Sequence, residues 1–139
     1  MGGILRLATH DAMSYSKYEN NGGMDGCLQF DDIVNRGLEK YRDLLQPVYE
    51  HYSSLMSRAD FWALASLAVI EAAGGPRIPF QWGRVDAAHC PEDGGRLPDP
   101  TKGHGHVMKL FTRLGFTAEE AVALMGAHTI EGLGWLSEA

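Results

Sequence analysis

Leu5-Arg6-Leu7-Ala8-Thr9-His10-Asp11-Ala12, read together with the distant tripeptide Ala127-His128-Thr129, decides how this chain is understood. With residues 4 to 18 helical, Arg6 and His10 stand four apart and share one face, one turn above each other. A guanidinium that keeps its proton then sits beside an imidazole that can accept one. That pair suits proton transfer with stabilisation of a developing negative charge, as in splitting a small peroxide. His128 lies far along the chain at the end of an apolar helical stretch, where an imidazole can ligate iron.

Size and charge bound the rest. The 139 residues are 45% hydrophobic, enough for one compact domain (1–139) with a real core and too few for two. A net charge of −6 argues against nucleic acid or an anionic membrane surface as the main partner. No apolar run reaches the length of a membrane span, and Met1-Gly2-Gly3-Ile4-Leu5-Arg6 does not read as a signal peptide. Cys27 and Cys90 make neither a metal motif nor a disulfide framework, so reduced thiols in an intracellular setting are expected, with one disulfide left open.

The elements read as helices separated by glycine-rich loops, and the fold class is mainly α. Ile33, Leu38, Tyr41, Leu45 and Val48 recur at helical spacing, with Pro47 expected to end or kink that helix. Ser57 can cap the next helix, and Asp60 puts negative charge in its first turn. From Phe61 to Ala73 the sequence is apolar almost all round, which predicts a buried helix. A shorter helix is expected from about His104 to Leu114, and Thr117-Ala118-Glu119-Glu120 is a capping box opening another towards His128. Asn20 to Gly26 is a loop able to take positive φ at several positions, and residues 91 to 105 form a long connection.

With those motifs in hand, the chain resembles the haem peroxidases of the plant, fungal and bacterial superfamily, most strongly ascorbate peroxidases and cytochrome c peroxidase. The residues that carry the resemblance run in family order: Leu5 to Ala12, Ala59-Asp60-Phe61, Ala68 to Pro79, Gly83-Arg84-Val85-Asp86, Cys90-Pro91-Glu92, Gly95 to Asp99, and Val122 to Ile130. The resemblance implies that Arg6 and His10 are the distal arginine and acid-base histidine, and that Asn35 orients His10 through its second ring nitrogen. It further implies haem b as cofactor, with His128 as the iron ligand and with Arg6, Thr9, His10, Pro98 and Leu124 beside the haem. Hydrogen peroxide and a small reductant are the implied substrates.

The sequence departs from the family at several points. Thr9 stands where the family has tryptophan or phenylalanine, which opens the distal pocket. The family's helix before the distal one, and its proximal aspartate and tryptophan, have no match here, and neither does the arginine used for ascorbate. A chain ending soon after His128 would leave an apolar face to cover, and a homodimer is the expected cover, with a fold-back of Leu133, Trp135 and Leu136 as the alternative.

Each residue also has a structural reading. An arginine and histidine at i, i+4 outside such a motif are usually a solvated face, and a lone histidine on an apolar helix is usually a core residue. Asp31-Asp32, Glu92-Asp93 and Glu119-Glu120 read as caps and surface charge, Arg84 and Asp86 as loop-fixing partners, and Met13, Met24 and Met125 as packing. His89, His104 and His106 make a weak metal pattern. Two functional classes follow: a haem-dependent peroxidase, or a non-catalytic haem-binding or haem-free scaffold for ligand or protein binding.

Overall fold

The computed structural model describes residues 1–90, 96, 97, 99 and 102–126. Five α-helices carry it: α1 (Gly2–Met13), α2 (Glu39–Tyr52), α3 (Arg58–Ala72), α4 (His104–Leu114) and α5 (Ala118–Met125), with a short 3-10 turn at Ile33–Asn35 between α1 and α2. Among the described residues there is no named strand, only an isolated antiparallel bridge between Ser16 and Asn21. The mainly α class holds.

Helix α1 turns Leu7, Ala8 and Asp11 inward, followed by Ser14 just past its end, and packs chiefly on α3. Leu7, Leu28, Leu38, Leu45, Phe61 and Trp62 form the core. Leu7 and Leu38 are fully buried, a gain of about 1.5–3 kcal/mol each over leaving them in water. Tyr49 of α2 meets Phe61 of α3 with ring centroids 5.4 Å apart. Gly3 lets the Tyr41 ring lie where a β-carbon would stand, so α2 can close on α1.

Several expectations need correcting. Helix α1 ends at Met13 rather than running to residue 18. The Ser14 hydroxyl donates to the Asp11 carbonyl at 2.8 Å and accepts the Gly23 N–H at 2.8 Å, which turns the chain into the glycine loop. The apolar spacing from Ile33 to Val48 is divided: Ile33 opens the 3-10 turn and is 71% exposed, and α2 begins only at Glu39. Pro47 does not end α2, which continues to Tyr52. The N–H that Pro47 lacks would have gone to the Asp43 carbonyl, and both residues are exposed, so water can serve that carbonyl.

Helix α3 is capped as expected, with the Ser57 hydroxyl accepting the Asp60 N–H at 3.0 Å. It is buried along its first half, while Ala68, Glu71 and Ala72 are exposed. There α1, α2 and α3 leave an apolar groove of about 400 Å³ floored by Ile4, Leu45, Val48, Leu64 and Val69. The groove is the physical reason that an all-round apolar helix is only half covered.

Asp60 and Asp86 fix the loop after α3. Asp86 accepts the Arg58 and Ala59 N–H groups at 3.0 and 2.8 Å, and Asp60 accepts those of Gly83 and Arg84 at 2.8 and 3.2 Å. The Arg84 guanidinium adds a bond of 2.9 Å to Asp60. Burial pushes the Asp60 carboxyl up, but those amides and the guanidinium reverse it and hold it below the usual carboxylate range. Arg84 and Asp86 are loop-fixing groups, as the sequence suggests.

The cysteines are not separate thiols: Cys27 and Cys90 form a disulfide with α-carbons 4.9 Å apart, closing 63 residues of sequence. The Ala87 N–H donates to the Asp25 carbonyl at 2.9 Å, which lays one loop against the other and brings the two side chains together.

Replacement of Asp60 tests this loop anchor. Asp60→Ala should cost about 1–2 kcal/mol, since it takes the shared acceptor from two amides and from a half-exposed guanidinium. Urea unfolding monitored by circular dichroism checks it; a loss under about 0.5 kcal/mol, the range of ordinary surface changes, would show that the anchor contributes little.

Candidate functional site

The core-facing stripe of α1 leaves Arg6, Thr9, His10 and Met13 on its other side, at i, i+3, i+4 and i+7, each only half covered. The 3-10 turn lies against this stripe. Asp32 caps the turn by accepting the Val34 N–H at 3.1 Å, and the Asp32 N–H donates to the Gln29 carbonyl at 3.1 Å.

Asn35 is fully buried, and its amide bridges two partners. Its Nδ2 donates to the Gln29 carbonyl at 2.9 Å, and its Oδ1 lies 2.9 Å from His10 Nδ1. The first bond settles which way the amide points, because only its NH₂ can donate to a carbonyl. Its Oδ1 can only accept, so His10 Nδ1 carries the proton and Nε2 keeps a lone pair.

Burial is the main cause that lowers the His10 pKa, to about 4; the Asn35 hydrogen bond opposes the shift and the Arg6 charge adds to it. The imidazole is neutral from mildly acid pH upwards. Arg6 is fastened to the same turn, with Nη2 donating to the Val34 carbonyl at 2.9 Å and Nη1 to that of Arg36 at 3.2 Å. Three successive residues thus set the site: the carbonyls of 34 and 36 take the guanidinium, and the side chain of 35 takes the imidazole.

Thr9 sits on the open stripe, and its hydroxyl donates to the Leu5 carbonyl at 2.8 Å. The hydroxyl is spent within the helix, which leaves the small methyl as its outward group. Leu124 is 48% exposed on α5. Pro98 and His128 lie outside the described residues. Met125 is 41% exposed. His106 Nε2 accepts the Asp99 N–H at 3.1 Å, a structural use of that ring. Among the described residues no group of three or more histidine, cysteine or acidic side chains could hold a metal ion.

Asp11, next to His10, has no role in the sequence reading yet is fully buried. Its Oδ2 accepts the Gly26 N–H at 2.9 Å. Gly26 takes φ +70°, and a β-carbon there would stand 2.8 Å from the Ala59 nitrogen, so the turn needs glycine. Burial raises the Asp11 pKa to about 8, with the Gly26 amide opposing and the Asp25 charge adding to the shift. The signal was present in the sequence: position 11 shares the helical phase of Leu7 and Ala8.

The helical scaffold fixes a neutral imidazole and a guanidinium on one half-open face, an arrangement able to exchange a proton beside a fixed positive charge. Comparison with known sequences assigns that scaffold a family. The sequence model described as Peroxidase matches residues 1–134. The chain belongs to the peroxidase family. It is 38% identical over 131 residues to the probable L-ascorbate peroxidase 3, peroxisomal, of Oryza sativa subsp. japonica, and 41% over 140 residues to L-ascorbate peroxidase T, chloroplastic, of Arabidopsis thaliana. It is also 39% identical over 134 residues to the cytochrome c peroxidase, mitochondrial, of Aspergillus fumigatus. Each match covers 91% of this chain and, in that order, 44%, 32% and 36% of the relative. The chain spans less than half the length of these curated relatives.

The Asp11 shift has a sign that can be measured. Between about pH 4 and 8 the folded carboxyl keeps a proton that the unfolded one has lost, so this group's contribution to stability falls as pH rises through that window. Asp11→Asn should remove that slope, becoming more stable relative to the parent as pH increases. Urea midpoints at acid, neutral and alkaline pH measure it, and parallel curves for the two proteins would show that Asp11 is ionised throughout.

Proposed function

We propose that this chain carries the peroxide-splitting half of a haem peroxidase that reduces hydrogen peroxide with a small electron donor. The observation that supports the reading most is His10, neutral at physiological pH and held by Asn35 with Nε2 as its free lone pair, on the same open stripe as Arg6. His10 Nε2 takes the proton from the bound peroxide and returns it to the departing oxygen, which leaves as water. Arg6 offsets the negative charge that develops as the O–O bond lengthens. Asn35 keeps His10 in the tautomer that can do this.

The stripe of Arg6, Thr9, His10 and Met13 fits a flat prosthetic group: it is half-exposed, it carries small Thr9 in the middle, and its polar groups are already oriented from behind. Haem b would be held by His128 with Pro98 and Leu124 among its neighbours, and would supply the redox equivalents that cleavage requires. The ascorbate and cytochrome c peroxidases named above support a small reductant or a redox partner as the class of donor. Their peroxisomal, chloroplastic and mitochondrial names support an intracellular compartment.

Three measurements test this. His10→Ala should lower kcat/KM for peroxide on the order of 10²-fold or more, and Arg6→Ala should lower it less steeply. Haemin titrated into the protein should give a Soret band that His128→Ala loses and added imidazole restores. Protein that takes up haem but turns over no donor belongs instead to the non-catalytic binding class.

The acid limb of the pH–rate profile should fall near pH 4, where His10 gains its proton. Arg6→Leu removes a charge that lowers the His10 pKa, so its limb should move to higher pH. A limb that stays near pH 6.5 in both proteins, the ordinary imidazole value, would show that His10 is not the base.

A further inference from the structure

Behind His10 lies a relay that ends on the disulfide. The Gln29 carbonyl accepts both the Asp32 N–H, at 3.1 Å, and Asn35 Nδ2, at 2.9 Å, so one oxygen holds the 3-10 turn and the amide that orients His10. Gln29 is two residues from Cys27, and its side-chain amide lies 3.5 Å from the Cys90 carbonyl. The disulfide joins residues 25–29 to residues 87–90 beside that long hydrogen bond and the one from the Ala87 N–H to the Asp25 carbonyl. Both cysteines are half-exposed, and Ala88 and His89 beside Cys90 are exposed, so a reductant can reach the bond.

We propose that the Cys27–Cys90 disulfide positions His10 through Gln29 and Asn35, and that a dithiol reductant, by opening it, frees His10 from its single tautomer. This rests on the reading of His10 as the base. A thiolate of the reductant attacks one sulfur to give a mixed disulfide, and its second thiol displaces the other. Two electrons and two protons pass to Cys27 and Cys90, and the reductant leaves as its own disulfide. Hydrogen peroxide reverses the change: one thiol, attacking as its thiolate, takes an oxygen to become a sulfenic acid while the other oxygen leaves as hydroxide and takes up the thiol's proton to give water, and condensation with the second thiol releases another water. The proposed substrate therefore restores the geometry that the proposed reaction uses.

The test uses the full chain labelled with ¹⁵N, and reads the His10 ring nitrogens by NMR before and after dithiothreitol, with His10→Gln to assign the signals. Before reduction the ring should show the Nδ1–H tautomer alone, and no thiol should react with an alkylating reagent. After reduction two thiols should appear, the ring shifts should move to those of mixed tautomers, and the helical circular dichroism should persist. Cys27→Ser with Cys90→Ser should show the mixed pattern from the outset and ignore dithiothreitol.

Ring shifts that stay put on reduction overturn the proposal. So does loss of the helical signal, which would make the bond a staple of the whole fold instead. Because the ring is read without haem or turnover, failure of the peroxidase reading and failure of this proposal are separately visible.

Discussion

The carbonyl groups at the end of α1 are the constraint on which the rest of the structure depends. A helix of 12 residues is marginal on its own, and its last carbonyls have no partner within it. Here Arg113 Nη2 donates to the Met13 carbonyl at 2.9 Å and to that of Arg96 at 2.6 Å, while Arg96 Nη1 donates to the Ser14 carbonyl at 2.8 Å. Arg96 is also paired with Glu19. Burial lowers the Arg113 pKa, the Arg96 charge lowers it further, and Glu19 opposes them. Two guanidinium groups at the negative end of a helix answer both its dipole and its open acceptors.

With its end fixed, α1 can show different chemistry on its two faces. One carries Leu7, Ala8 and Asp11 into the core, and the other carries Arg6, Thr9 and His10 half exposed. Arg6 and His10 are both fastened to a single three-residue turn that the Gln29 carbonyl helps to place. Precision in the site therefore derives from backbone oxygens and one buried side-chain amide, a neutral group holding the imidazole.

Features decided by neighbours in sequence were legible in the sequence. The Ser57 cap and the Thr117–Glu120 capping box are local chemistry, and α3 and α5 start where those residues stand. The pairing of Asn35 with His10 was reached through the family motif, and the structure supplies the hydrogen bond behind it. The end of α1 was not legible, because Gly23, Arg96 and Arg113 determine it from outside the helix. Nor was the break between Ile33 and Glu39, where capping by Asp32 and the bonds to Arg6 outweigh an apolar spacing that suits one continuous helix. The disulfide depends on two loops meeting, which two isolated cysteines cannot announce.

The bond between Met13 and Arg113 spans 100 residues, and this sets an order of events as the chain is made. At a synthesis rate of about 5–20 residues per second, Arg113 leaves the ribosome roughly 5–20 s after Met13. Through that interval α1 has neither of its capping cations and, as a short helix, does not hold its shape alone. Helices α2 and α3 emerge meanwhile and can collapse on their own apolar faces. The end of α1 is then completed from the far end of the sequence, so a nascent chain halted before residue 96 would hold α1 through its packing on α2 and α3, with the carbonyls of Met13 and Ser14 left to water.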